Sequence, residues 1–126
     1  MININQNKEA EKLSYIKRGM VVIVNLPVQK ENSIQGGERP CVIVSNNRGN
    51  RYSPNVTIIP LTTSKSKKNL PTHAIIKSYN NSIALGEQIM TIPKAWIVSL
   101  KGRVLPSELK LIDRIIEIAV GIIEEA

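Results

Sequence analysis

The sequence is poor in the residues that build disulfides, metal sites and aromatic surfaces. Its 126 residues contain one cysteine, one histidine and one tryptophan, and no phenylalanine. A single cysteine excludes an internal disulfide and a cysteine-based zinc site. No apolar run approaches the about 20 residues that cross a membrane, and the N-terminal stretch lacks the apolar region of a signal peptide. We therefore expect a cytoplasmic protein that does not contact the membrane.

Acidic residues are also scarce before the last 21 positions. Those that precede residue 106 are Glu9, Glu11, Glu31, Glu38 and Glu87. Metal-dependent hydrolysis of phosphodiesters needs clustered carboxylates, so a two-metal nuclease is excluded. The lone His73 excludes a pair of imidazoles acting as acid and base, and no G-x-S-x-G or P-loop spacing occurs. We expect no metal and no cofactor.

Basic residues are abundant and unevenly distributed. The net charge is +7, but the segment from Pro106 onward has two bases against five acids and thus a charge of −3. The rest of the chain therefore carries +10, and between Arg39 and Arg103 ten bases accompany one acid, Glu87. A basic body with an acidic end favours a polyanionic partner such as nucleic acid.

Short runs of β-branched residues, bounded by glycine and proline, predict a mostly stranded protein. The predicted strands span residues 20–26, 39–46, 56–63, 72–77, 83–92 and 94–104. Pro60 lies inside the third strand, which predicts a bulge or an edge position there, and residues 47–55 read as a turn-rich connector. We predict one α+β domain over residues 17–126, a compact barrel-like sheet with a C-terminal helix, after a polar tail of residues 1–16.

The predicted terminal helix begins near Pro106, a residue favoured in a first helical turn. Its polar stripe is narrow, and apolar residues cover both flanks. One flank carries Leu109, Ile112, Ile116 and Ile123, and the other carries Leu111, Ile115, Ile118 and Ile122. Such a helix is buried over most of its circumference, which predicts a subunit interface nearby.

RNA cleavage is a reaction that this limited set of residues allows. The substrate carries its own nucleophile, the 2′-hydroxyl, so the protein has only to position the phosphate, handle protons and stabilise developing charge. An arginine fork matches a phosphate and never loses its charge, and a threonine hydroxyl can donate to another phosphate oxygen. DNA lacks the 2′-hydroxyl and could be bound but not cut in this way.

Five segments, in order and at family spacing, resemble the MazF/PemK family of toxins. They are "KRGMVVIVNL", "QGGERPCVIVSNNRGNRYSP", "IIPLT", "NLPTH" and "EQIMTI", and the resemblance runs from Lys17 to the end of the terminal helix. It implies an SH3-like β-barrel of the CcdB/PemK type, a homodimer and a cognate antitoxin, with DNA contacted only through that antitoxin. It also implies metal-independent, sequence-specific cleavage of single-stranded mRNA, leaving a 2′,3′-cyclic phosphate and a 5′-hydroxyl.

Matching the family motifs to this sequence assigns catalytic roles to Arg39 and Thr62, with the neighbouring Thr63 as an alternative to Thr62. His73 is expected to be a structural residue beside the site, and Cys41 an inert core residue. The residues predicted to bind RNA are Gln35, Gly36, Gly37, Asn46, Asn50, Lys67, Lys68, Leu70, Pro71, Thr72 and Gln88.

Other interpretations stay open at this stage. Met20, Ile34 and Met90 depart from the family pattern, which leaves the recognised RNA sequence undetermined. The amides of Gln35, Asn46 and Gln88 could stabilise hairpins instead of binding bases. The chain could also be a non-catalytic RNA- or DNA-binding member of the family, or a toxin that acts on a protein target such as gyrase.

Overall fold

The computed structural model describes residues 15–28, 36–64 and 69–124, which form one antiparallel sheet and a C-terminal helix. The strands are β1 (Met20–Leu26), β2 (Gly37–Ile43), β3 (Asn55–Thr62), β4 (His73–Ile76), β5 (Ser82–Leu85), β6 (Met90–Pro93) and β7 (Ile97–Arg103). The α-helices are α1 (Asn47–Tyr52) and α2 (Pro106–Ala119), and short 3-10 helices span Gly86–Gln88 and Lys94–Trp96. No helix in this part of the chain has the length and apolarity that a membrane crossing requires.

The strands follow the order β4-β5-β3-β2-β1-β7, and β6 pairs with β3. This arrangement confirms the predicted α+β class. Among the described strands, β4 and β7 end the path without pairing with each other, so the sheet is open rather than a closed barrel.

Two apolar cores explain why so many strand positions are hydrophobic. The first joins one face of the sheet to Ile112 and Ile115 of α2. The second contains buried residues of β1, β2, β3, β6 and β7, together with Ile16, and includes no residue of α2. Successive residues Val21 and Val22 enter different cores, so both faces of β1 are buried. The second core is therefore formed by the strands and Ile16, on the side of β1 that faces away from the first core.

Two sequence predictions are corrected by the local structure. The predicted connector after β2 contains helix α1, which begins where the Asn46 side chain accepts a hydrogen bond from the Gly49 backbone N–H at 2.8 Å. Pro60, predicted at a bulge or an edge position, lies on the central strand β3 and pairs in regular register with Cys41 of β2. Along β3, β6 pairs with residues 55–58 and β5 with residues 61–62, so Pro60 lies in the gap between these two partners.

Helix α2 is buried on one side only within the described chain. Ile112 and Ile115 are buried and Leu109 and Ile116 pack partly against the first core. On the predicted second flank Ile115 is buried and Ile118 half-buried, but Leu111 is 48% exposed and Ile122, just beyond the end of α2, is 70% exposed. The subunit interface expected from the sequence therefore stays a prediction, and these side chains are the surface that it would use.

The start of α2 depends on a buried carboxylate. Leu105 precedes the helix and has no side-chain oxygen, but Glu108 accepts a hydrogen bond from the Leu105 N–H at 2.9 Å. The same carboxylate accepts the Ser78 N–H at 3.0 Å and the Ser78 hydroxyl, which ties α2 to the end of β4. Burial raises the pKa of Glu108, but hydrogen bonds from Ser78, Leu105 and Lys77 outweigh it, so the net pKa is lowered from about 4.5.

We predict that this carboxylate makes the fold sensitive to acid. Because the pKa of Glu108 is lower in the folded chain, its contribution is complete above about pH 4.5 and is lost as the pH falls through the folded value. Glu108→Gln should reduce the free energy of unfolding at pH 7 by about 1–3 kcal/mol and flatten its decrease in acid. Urea denaturation of both proteins between neutral and acidic pH measures this, and identical pH slopes would contradict it.

Candidate active site

Arg39 lies on β2 opposite Val24 of β1, and its side chain is exposed. Its Nε donates a hydrogen bond to the Gly36 carbonyl oxygen at 2.9 Å, which holds the guanidinium in position. Among the described residues, no carboxylate forms an ion pair with Arg39. The remaining guanidinium donors can therefore serve an anion, and an arginine fork suits a phosphate.

Gly36 and Gly37, which precede Arg39, are each required to be glycine by a different structural constraint. A Cβ at Gly36 would lie 2.6 Å from the Pro27 carbonyl oxygen and 2.6 Å from the Val28 Cα, closer than real contacts allow. Gly37 has a φ of +77°, which side-chain-bearing residues rarely adopt, and has open space around it. The first glycine lets the chain pack against the end of β1, and the second lets it turn into β2 toward Arg39.

Thr62 is the last residue of β3 and is only 6% exposed. Strands β2 and β3 pair at Cys41–Pro60, and Arg39 and Thr62 each lie two residues beyond that pair in the same direction. Because opposed residues in an antiparallel pair share a face, the register places Arg39 and Thr62 at one end of two adjacent strands. Thr63 is exposed, directly after the strand.

The Thr62 hydroxyl remains able to donate. Its Oγ1 accepts the Ser64 backbone N–H at 3.1 Å, which uses an acceptor site and leaves the hydroxyl hydrogen for another group. The neighbouring Cys41 is fully buried, and burial raises the pKa of its thiol to about 12. Cys41 therefore stays protonated at neutral pH and does not act as a nucleophile.

The residues predicted to bind RNA fall into separate groups. Gly36 and Gly37 lie beside Arg39. Gln35, Lys67 and Lys68 lie outside the described residues, so their predicted roles stay predictions.

Asn46 and Asn50 are at the other end of β2, where Ile43 alone is already about 13 Å from Arg39 along the strand. Asn46 is exposed, but its side chain caps α1. Asn50 has no exposed surface, and its amide bonds to the Ser45 carbonyl oxygen at 2.8 Å and to the Ser45 hydroxyl at 2.5 Å. A buried amide with these partners holds α1 in place, so the structure does not support RNA binding by Asn50.

A second group joins the segment before β4 to the 3-10 helix Gly86–Gln88. Leu70 and Pro71 are exposed, and Thr72 and Gln88 are half-buried. The Thr72 hydroxyl donates to Glu87 Oε2 at 2.9 Å, and His73 Nε2 lies 2.8 Å from Glu87 Oε1. Sequence reasoning assigned no role to Glu87. One sequence feature could have drawn attention to Glu87, because it is the one acid among ten bases between residues 39 and 103.

No three histidine, cysteine, aspartate or glutamate side chains gather as a possible metal site in the part of the chain that the structure describes. The chemical groups that the strand register brings to this end of β2 and β3 are the Arg39 guanidinium and the Thr62 hydroxyl. Such groups bind an anion and stabilise charge that develops on it.

Comparisons with known proteins bear on the family and the fold. A family model described as "PemK-like, MazF-like toxin of type II toxin-antitoxin system" matches residues 17–120. The chain is 37% identical over 113 residues to an endoribonuclease MazF of Staphylococcus epidermidis, covering 85% of this chain and 92% of the relative.

Two solved structures have the same fold. A mycobacterial endoribonuclease solved with its cognate antitoxin has a TM-score of 0.74 at 25% identity, covering 87% of this chain and 99% of that one. MazF from Deinococcus radiodurans has a TM-score of 0.72 at 16% identity, covering 84% of this chain and 96% of that one. The fold thus defines a small protein of the MazF fold class. By the family match and the curated relative, the chain belongs to the PemK-like, MazF-like toxins of type II toxin–antitoxin systems.

Proposed function

We propose that this toxin cuts single-stranded mRNA at a short sequence without a metal ion, by attack of the substrate's 2′-hydroxyl. The endoribonuclease class follows from the family and from the 37% identical relative. The observation that carries the finer proposal is the position of Arg39, exposed, without a carboxylate partner among the described residues, and at the same strand ends as Thr62.

In this mechanism the RNA supplies the bond-making atom and the toxin supplies the environment. The 2′-oxygen attacks the phosphorus and loses its proton, the bond from phosphorus to the 5′-oxygen breaks, and the 5′-oxygen gains a proton. The products are a 2′,3′-cyclic phosphate and a 5′-hydroxyl. Arg39 stabilises the negative charge that develops on the phosphate oxygens, and the Thr62 hydroxyl donates a further hydrogen bond to them.

Cleavage of a long, unstructured RNA in the presence of EDTA tests this proposal. Sequencing of every 5′-hydroxyl end should show cuts at one short motif. Cleavage only after a divalent metal is added would contradict the metal-independent mechanism. Binding without cleavage would instead indicate a non-catalytic member of the family, and inhibition of gyrase by a protein that leaves RNA intact would indicate a toxin with a protein target.

Substituting each threonine separately tests which hydroxyl takes part. Thr62→Val keeps the shape of the side chain and removes the hydroxyl, so we expect cleavage to slow by about 10- to 100-fold with little change in stability. Thr63→Val is the matched control and should cleave at nearly the wild-type rate. Single-turnover cleavage of one RNA oligonucleotide measures both, and the reverse order of effects would assign the role to Thr63.

The partners follow from the same family membership. A related mycobacterial endoribonuclease was solved with its cognate antitoxin. For this chain we propose an antitoxin that covers the basic site, with DNA contacted only through it. We also propose a homodimer that covers the exposed apolar side chains of Leu111 on α2 and of Ile122 just beyond the helix. Light scattering should give twice the chain mass, and Leu111→Lys should shift the protein toward the monomer.

A further inference from the structure

His73 is the centre of a compact hydrogen-bonded group, which we call the Glu87 cluster and which comprises Leu70, Thr72, His73 and Glu87. The His73 side chain is 3% exposed. Its Nε2 lies 2.8 Å from Glu87 Oε1, and the other carboxylate oxygen accepts the Thr72 hydroxyl at 2.9 Å. The Leu70 backbone N–H points to His73 Nδ1 at 3.4 Å, a long hydrogen bond.

Two backbone hydrogen bonds complete the cluster. The His73 N–H donates to the Leu70 carbonyl oxygen at 2.9 Å, which closes a turn over residues 70–73. The Gly86 N–H donates to the Thr72 carbonyl oxygen at 2.9 Å, which ties that turn to the 3-10 helix containing Glu87 and Gln88. The exposed Leu70 and Pro71 are thus fixed relative to Gln88.

The hydrogen bonds also define what the imidazole can do. Because Nδ1 accepts an N–H, the neutral ring carries its hydrogen on Nε2 and donates it to Glu87. Both nitrogens are then occupied and the ring is almost completely buried. An imidazole in this state has no nitrogen available to exchange a proton with a substrate.

The charge of Glu87 is opposite in sign to that of the charged residues around it in the sequence. Glu87 is the only acid between Arg39 and Arg103, and its side chain is 34% exposed. Both of its oxygens are used by His73 and Thr72. These hydrogen bonds leave the negative charge of Glu87 in place, but they hold its carboxylate against residues 72 and 73 and so order residues 70–73.

We propose that Glu87 and His73 are positioning residues that hold Leu70, Pro71, Thr72 and Gln88 in the arrangement that binds RNA. They determine the affinity for RNA and leave the chemical step to Arg39 and Thr62. The inference rests on the proposed function, since the resemblance predicts that these four held residues contact RNA. The competing interpretation is that Glu87 and His73 form an acid–base pair in the reaction itself.

Two substitutions of Glu87 separate these interpretations. Glu87→Ala removes the cluster's acceptors, and we expect KM to rise about tenfold while kcat stays within about twofold. Glu87→Gln removes the charge but keeps an oxygen for His73 Nε2–H and an amide for the Thr72 hydroxyl, so KM should stay within about threefold of wild type. An acid–base role would instead lower kcat strongly in both variants and change the pH profile of kcat.

A matched control addresses general destabilisation. Asp113 of α2 pairs with Arg18 and is also a partly exposed carboxylate in an ion pair, 44% exposed on its side chain. Asp113→Asn should leave KM and kcat near wild type even where the melting temperature falls. His73→Gln, which can still donate to Glu87, should restore part of the affinity lost in His73→Ala.

The measurement uses a short RNA oligonucleotide that carries the mapped cleavage motif, with amide hydrogen exchange in the free protein as a second readout. In Glu87→Ala the amides of Leu70, His73 and Gly86 should exchange about tenfold faster. If wild type fails to cut RNA, the proposed function has failed, but exchange and RNA binding still test the cluster. Unchanged exchange and unchanged affinity in Glu87→Ala would overturn the inference, as would a fall in kcat in Glu87→Gln.

Discussion

Arg39→Ala is expected to lower the rate of RNA cleavage by about 100- to 1,000-fold, the usual cost of removing a group that stabilises charge in a transition state. The fold should survive, because the Arg39 side chain is exposed and its one hydrogen bond within the described residues is to the nearby Gly36 carbonyl oxygen. Arg39→Lys should recover only part of the rate, since lysine keeps the charge but lacks the planar fork.

Arg48 provides the matched control for this prediction. It is an exposed arginine of α1, near the far end of β2 from Arg39. Arg48→Ala removes the same charge and should leave the cleavage rate within about twofold, because exposed surface changes away from a site have small effects. Single-turnover rates of the variants measure the effect on cleavage, and their melting temperatures show whether the fold is retained. An Arg39→Ala protein that cuts as fast as Arg48→Ala would remove Arg39 from the mechanism.

Ile112→Ala is expected to have the largest effect on stability among the changes considered for α2. Ile112 is fully buried in the core that joins α2 to the sheet. Deleting its outer carbons leaves a cavity, which costs about 2–5 kcal/mol of the free energy of unfolding, whereas Ile112→Val should cost about 0.5–1.5 kcal/mol.

The neighbouring Lys110 is exposed and serves as the control for Ile112. Lys110→Ala should change the free energy of unfolding by less than about 0.5 kcal/mol. Urea denaturation, monitored by circular dichroism, measures all three variants. Equal losses in Ile112→Ala and Lys110→Ala would contradict the packing of α2 against the first core.

Most strand positions along the chain were predictable because the strands are β-branched runs bounded by glycine and proline, although the predicted strand 83–92 divides into β5, a 3-10 helix and β6. Asn80 and Asn81, in the turn between β4 and β5, both have a positive φ, 53° and 52°, which suits asparagine in a tight hairpin turn. Helix α1 was not predictable from local propensity, since its sequence is rich in turn formers. It is held by the Asn46 cap and by the buried Asn50 amide, which depend on the folded surroundings.

Some residues of the candidate site were predictable from the sequence and others were not. Arg39 and the two glycines were identified from the family resemblance, and the register of β2 and β3 then brings Arg39 level with Thr62. The partnership of His73 and Glu87 was not predictable, because the two are 14 residues apart and meet only when β4 pairs with β5 at His73 and Leu85. The burial of Asn50 was likewise not predictable, because it depends on hydrogen-bond partners that the folded chain brings together.

The central claim is that the substrate's own 2′-hydroxyl is the nucleophile at the strand ends of β2 and β3. The most direct measurement compares two oligonucleotides that carry the mapped motif, one all-RNA and one with a single 2′-deoxynucleotide at the cleaved position, both in EDTA. The account predicts that the all-RNA strand is cut to a 2′,3′-cyclic phosphate and a 5′-hydroxyl, while the substituted strand is bound and stays intact. Cleavage of the substituted strand at the same bond would require another nucleophile and would contradict the account.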